Sequence, residues 1–162
     1  MASGRRRRIL DPGFRAPDFR LPRLNGGVSA LAELVASGPV LLVFFKVTCP
    51  TCQMTLPFLE RIHATGRLPV HGISQNDDED TREFNREFGL TFPMLLDAEE
   101  SGFKVSDDYG ISTVPSMFLV GLDGMIAQAM EGWSRREILA LGALAGVNPF
   151  HPGENVPEWK SG

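Results

Sequence analysis

The chain has very little cysteine: two in 162 residues, three positions apart, as Cys49 and Cys52. So close a pair cannot form a disulfide framework, and a structural bridge would be unstable in a reducing compartment. It is also short of histidine, with His63, His71 and His151 only. None stands in a His-x-x-His or His-x-x-Cys pair, so a Cys-x-x-Cys zinc site would lack its other two ligands. No long apolar run is present: the longest, Val40 to Phe45, is too short to span a bilayer. A basic stripe of the kind that binds nucleic acid is missing, and the net charge is -4. The exception is Arg5 to Arg8, which reads as a solvated leader ahead of Pro12 and Gly13. Residues 9–38 hold no apolar stretch that would turn those arginines into a signal peptide, and the expected address is cytoplasmic.

What is present is the length of one domain and alternating strand and helix patterns. Residues 1–15 are expected to be irregular, residues 16–147 to fold, and residues 148–162 to form an irregular tail docked by Phe150 and Trp159. Ala16 to Leu21 alternates like a short edge strand, and Ser29 is expected to cap a short helix ended by Gly38 and Pro39. Val40 to Phe45 reads as a strand covered on both faces. Beyond the cysteines, Met54, Leu56, Phe58, Leu59 and Ile62 recur at helical spacing, with Pro57 inside the helix. Leu68 to Ser74 is a second buried strand, Asp77 to Glu87 a charged helix, Phe92 to Leu96 a third strand and Phe103 to Tyr109 a short helix. Pro115 to Gly121 and Met125 to Glu131 form a hairpin about Asp123-Gly124, and Ser134 with Glu137 makes a capping box for a last helix. The pattern is an α/β layered domain around a central mixed sheet.

The cysteine motif carries the chemistry. A buried strand runs to Phe45 and a helix starts near Cys49, which puts Cys49 at a helix N-terminus, where free N–H groups and the dipole favour a thiolate. Pro50 suits the first helical turn. Cys52 lies one turn on, within disulfide reach, and is expected to be more buried and to act second. Cys49 would attack a substrate disulfide and Cys52 would resolve the mixed disulfide, an external thiol reductant then restoring the dithiol.

With Cys49-Pro50-Thr51-Cys52 in a strand–turn–helix, the chain resembles the thioredoxin superfamily, and within it the TlpA/redoxin group related to AhpC/TSA proteins. Pro57 matches the proline that kinks the active-site helix. Tyr109 to Ser116 matches the segment around the family's cis-proline, and Asp123-Gly124 with Gly132 matches the terminal hairpin. Ala16-Pro17-Asp18-Phe19 resembles the opening of redoxin domains, and residues 76–103 match the strand–helix insertion of that branch. The resemblance implies a thioredoxin-like fold, a cis bond at Val114–Pro115, and Val114 offering backbone groups to an extended substrate by strand addition. Thr48, Pro50, Thr51, Val114 and Pro115 are then supporting residues around the catalytic Cys49 and Cys52, with no cofactor and no metal. The implied partners are a disulfide-containing protein or small thiol substrate and a thiol reductant. Neither nucleic acid nor a membrane span is expected.

The chain departs from the family at three places. Thr48 replaces the tryptophan usual before the first cysteine, Val43 the buried aspartate of the preceding strand, and Thr55 the glutamate found three residues after the second cysteine in TlpA-type reductases. Lys46 and Glu60 are the charged groups left as candidate bases, and a solvated surface role suits both better. Two other functions compete with a disulfide reductase. A peroxide reductase of the redoxin type needs a Pro-x-x-x-Thr-x-x-Cys pocket, and Lys46 stands at the threonine position for Cys49. A metallochaperone or binding module of the same fold would use a longer cysteine spacing.

Overall fold

The computed structural model describes residues 8–162; the leader arginines before Arg8 lie outside them. The elements are β1 (Arg20–Pro22), β2 (Val28–Ala30), α1 (Leu31–Leu34), β3 (Val40–Phe45), α2 (Pro50–His63), β4 (Val70–Ser74), α3 (Asp78–Phe88) and β5 (Met94–Leu96). After a 3-10 turn at Glu99–Ser101 come α4 (Lys104–Asp108), β6 (Ser116–Val120), β7 (Ile126–Glu131), β8 (Trp133–Ser134), α5 (Arg135–Leu144) and β9 (Trp159–Lys160).

Five strands form the central mixed sheet in the order β5-β4-β3-β6-β7. β4 runs parallel to β3 and β5 parallel to β4, whereas β6 is antiparallel to β3 and β7 to β6. All six residues of β3 are buried, because both of its faces are covered. Leu41, Val43 and Phe45 meet Leu56, Leu59 and Ile62 of α2 together with Trp133 and Ile138. Val40, Leu42 and Phe44 meet Tyr109, Phe118 and the N-terminal residues Phe19, Leu21 and Leu31. The period of two along a strand divides one apolar run between two cores.

Several sequence expectations change. Ser29 caps nothing: it lies in β2, paired with Leu21, and α1 starts after Ala30 with no side-chain cap. The hairpin that β1 makes with β2 supplies the local order that the cap was expected to give. Residues 8–15 lie outside any helix or strand and are tied down by backbone bonds. Leu10 N–H donates to the Tyr109 carbonyl (3.3 Å), Gly13 N–H to Ile126 (2.9 Å), and Arg15 bridges to Met125. The tail is not wholly irregular either, since β9 pairs antiparallel with β8. Phe150 docks it as expected, against Phe58 and Trp133, but Trp159 is 67% exposed. Val156 and the Pro157 carbonyl, which accepts from Trp133 Nε1 at 2.7 Å, do the packing in its place. At the helix starts Asp77 accepts from Asp80 N–H (2.9 Å), and Ser134 accepts from Glu137 N–H (3.3 Å).

Asp97 is a residue whose part the sequence did not signal. It is fully buried, and its carboxylate accepts from Ser101 Oγ (2.9 Å), Ser106 N–H (2.7 Å) and Ser106 Oγ (2.7 Å). Those bonds tie the end of β5 to α4, and α4 leads into the segment that ends at Pro115.

Candidate active site

The site forms where β3 hands the chain to α2. β3 is fixed on both sides, so its end at Phe45 is a fixed point. The loop 46–49 is then held at Val47, whose N–H donates to Asn76 Oδ1 (2.9 Å) and whose carbonyl accepts from Gln53 Nε2 (2.9 Å). Neither Asn76 nor Gln53 belongs to the cysteine motif, and no pattern around them announced the role.

Cys49 is the N-cap of α2, with an extended backbone (φ -83°, ψ 114°), and Pro50 follows in the first turn. Cys52 N–H donates to Cys49 Sγ at 3.1 Å, so the sulfur takes the place of a capping oxygen. Cys49 Sγ also lies 3.4 Å from the Val114 carbonyl oxygen, its acceptor. Val114–Pro115 is cis. The expected facing of dithiol and cis-proline segment is thus present, between residues 65 positions apart. Pro57 lies inside α2.

The two cysteines differ in the way the spacing suggested. Both are free; Cys49 is half-buried and Cys52 is 0% exposed. Burial pushes the Cys52 thiol well above its ordinary range, and the hydrogen bond with Cys49 adds to that, while the backbone of Lys46 pulls the other way. Among the described residues no carboxylate acts on it. Thr55, which stands where the family resemblance implies a glutamate, is buried and donates from Oγ1 to the Thr51 carbonyl (2.7 Å). Glu60 is engaged elsewhere, accepting from Thr91 N–H at 2.7 Å and from its hydroxyl, and Lys46 is exposed.

The supporting residues do not all surround the sulfurs. Thr48 and Pro50 are exposed at the rim. Pro115 is buried beneath Val114 at the start of β6, and its carbonyl accepts from Gly132 N–H (2.8 Å). Thr51 is buried, and its hydroxyl donates to the Ser161 carbonyl (2.7 Å), a partner the sequence gave no reason to expect. Among the described residues no three His, Cys, Asp or Glu side chains come together as a metal site.

Residues 12–129 match the AhpC/TSA family. The chain belongs to that family. It is a redoxin/TlpA-like member of the thioredoxin superfamily. Among curated proteins it is similar to the thiol-disulfide oxidoreductase ResA of Halalkalibacterium halodurans, 30% identical over 78% of this chain and 72% of that one. The thioredoxin-like protein YneN of Bacillus subtilis is 28% identical over 76% of this chain and 73% of its own. Among solved structures, one described as a DsbE-type thiol:disulfide interchange protein of Chlorobium tepidum superposes with a TM-score of 0.73 at 25% identity. That match covers 83% of this chain and 95% of the other. The thioredoxin domain of a Bacteroides vulgatus thiol-disulfide oxidoreductase gives 0.73 at 22% identity, over 86% and 99% of the two chains, a likeness of fold alone. The fold is thioredoxin-like.

Proposed function

We propose that Cys49 and Cys52 are the working dithiol of a thiol–disulfide oxidoreductase that reduces disulfides, Cys49 attacking and Cys52 resolving. The observation that carries this is the contact of Cys49 Sγ with the Cys52 amide on one side and the Val114 carbonyl on the other. Relatives named as thiol-disulfide oxidoreductases support the activity class.

The reaction is two exchanges. The Cys49 thiolate attacks one sulfur of the substrate disulfide; the Cys49–substrate bond forms as the substrate S–S bond breaks, and the other sulfur leaves as a thiolate. Cys52 gives up its proton and attacks Cys49 Sγ, which forms the Cys49–Cys52 bond and releases the second substrate thiolate. The substrate has gained two electrons and the dithiol has lost them, and a thiol reductant returns them. The Cys52 amide is aimed at the sulfur that is charged in the first step. The Val114 N–H makes no hydrogen bond among the described residues, which leaves it for the carbonyl of an extended substrate. With no carboxylate acting on Cys52, its proton goes to water or to the departing substrate thiolate. Reduction as the direction goes with a reducing compartment, the cytoplasm, whose glutathione pool keeps accessible dithiols reduced.

Insulin-disulfide reduction measured beside hydrogen-peroxide consumption tests the reading. Turnover of insulin that is lost in Cys49→Ser, with little peroxide consumed, is the expected result. Peroxide consumption that outpaces insulin reduction would replace it with a peroxide reductase, and stoichiometric copper or zinc on the purified protein with a metal-binding role.

A further inference from the structure

Residues 148–162 lie beyond the stretch matched to the family, yet they follow a defined path back to the site. Phe150 packs on Phe58 and Trp133, with the Arg135 guanidinium over its ring at 5.0 Å. Arg61 donates to the Pro149 carbonyl (2.8 Å) and pairs through both nitrogens with Glu154 (2.7 and 2.9 Å). Trp133 Nε1 holds the Pro157 carbonyl and Arg135 N–H the Glu158 carbonyl (3.0 Å). β9 then pairs with β8, so close to Gly132 that a Cβ there would come 2.7 Å from the Lys160 carbonyl oxygen. The Thr51 hydroxyl, between the two cysteines in sequence, holds Ser161. Gly162 lies against the cis-proline segment: a Cβ on it would collide with the Val114 carbonyl oxygen and lie 2.6 Å from Thr113 Oγ1.

We propose that residues 159–162 occupy the strand-docking edge at Thr113–Val114 and thereby make the dithiol selective for small disulfides over polypeptides until they are displaced. This rests on the reductase reading above. A polypeptide substrate lays its backbone along this edge, and two chains cannot occupy it together. A small disulfide needs only Cys49, a residue that is half-buried with the segment in place. The anchoring is graded to suit a segment that moves. Residues 149–158 are tethered by the aromatic contacts of Phe150, a two-pronged ion pair and the Pro149, Pro157 and Glu158 carbonyls, whereas residues 159–162 are held by short strand pairing and one hydroxyl. The tether keeps the segment at high local concentration, so it returns when a product leaves.

The test compares kcat/KM for insulin and for bis(2-hydroxyethyl) disulfide in the unaltered chain and in Lys160→Pro. Proline cannot donate to the β8–β9 ladder and disfavours the pairing. The apparent affinity for a polypeptide scales with the fraction of open molecules, so the insulin value is expected to rise about tenfold while the small disulfide changes less than about twofold. Equal changes for both substrates, or a fall for insulin, would overturn the proposal. A second readout is independent of turnover. Cys52→Ser is trapped as a mixed disulfide at Cys49 by thiol–disulfide exchange, once with oxidised insulin and once with glutathione disulfide, each exchange releasing one thiol, and amide exchange over residues 159–162 is measured. Faster exchange in the polypeptide adduct alone supports displacement, and equal protection in both refutes it. Failure of any mixed disulfide to form at Cys49 overturns the dithiol assignment itself, whatever the segment does.

Discussion

The two sides of the dithiol are built differently. On one side the loop 46–49 and the first turn of α2 are continuous in sequence, and Cys49 caps the helix in which Cys52 sits three residues later. On the other side Val114 and residues 159–162 arrive from 65 positions and more than 100 positions away. The first side positions sulfur through bonds within one turn. The second positions whatever meets the sulfur, through strand order, a helix and a docked tail. Chemistry is therefore encoded locally here, and access to it non-locally.

The largest expected effect comes from breaking the local side. Cys49→Ser should lower insulin reduction by about 1000-fold or more, as loss of a nucleophile does. Cys52→Ser should instead stop at the mixed disulfide, visible by mass spectrometry. Alkylation with iodoacetamide should label Cys49 in the native dithiol and reach Cys52 only on unfolding, since Cys52 is buried with its pKa raised.

Breaking the non-local side costs stability. Trp133 is fully buried, packs on Phe58 and Phe150, and holds the Pro157 carbonyl. Trp133→Ala is expected to cost about 3–5 kcal/mol in a denaturant titration and to free the tail to proteolysis.

Acid separates the two sides less sharply. Burial lowers the His71 pKa to about 4 from the usual 6.5, with His63 adding to the effect. The native state thus keeps His71 neutral where the unfolded chain binds a proton. Its stability is whole above pH 6.5 and falls as the pH drops toward 4, by no more than about 3 kcal/mol. His71→Gln should flatten that slope. Glu154 is held down to about 2 by Arg61 and by the His151 amide, so its contribution is present above the usual 4.5 and is lost only as the pH falls through about 2. The tail's ion pair should outlast the loss at His71.

The smallest effect joins the two sides. Thr51→Val removes one hydroxyl bond to Ser161, worth about 1 kcal/mol. A loss of that size in unfolding free energy, with loosened amide exchange at residues 159–162, is the expected result.

Legibility followed the same division. The buried run Val40 to Phe45, the helix start at Cys49, the Ser134 cap and the Asp123-Gly124 hairpin are readable because each is a pattern within a few residues. Ser29 suggests a cap that it does not make, because a serine before an apolar run carries the same pattern when it sits in a strand. Gln53, Asn76 and Asp97 were silent, because a polar side chain does not show in sequence which distant backbone group it will meet. The path of the tail is not legible in its own residues, because its docking depends on Trp133 and Arg61, which belong to other elements.

The sequence by itself determined the two sulfurs, their spacing and the helix start that holds them, since a three-residue spacing after a buried strand is a local geometric constraint. Only the tertiary structure decided what faces them. Burial set the inequality of the two thiols, the β3–β6 pairing brought Val114 to Cys49, and the Trp133 pocket delivered residues 159–162 to the same edge. Those contacts join residues far apart in the chain, and such contacts form only when the whole core closes.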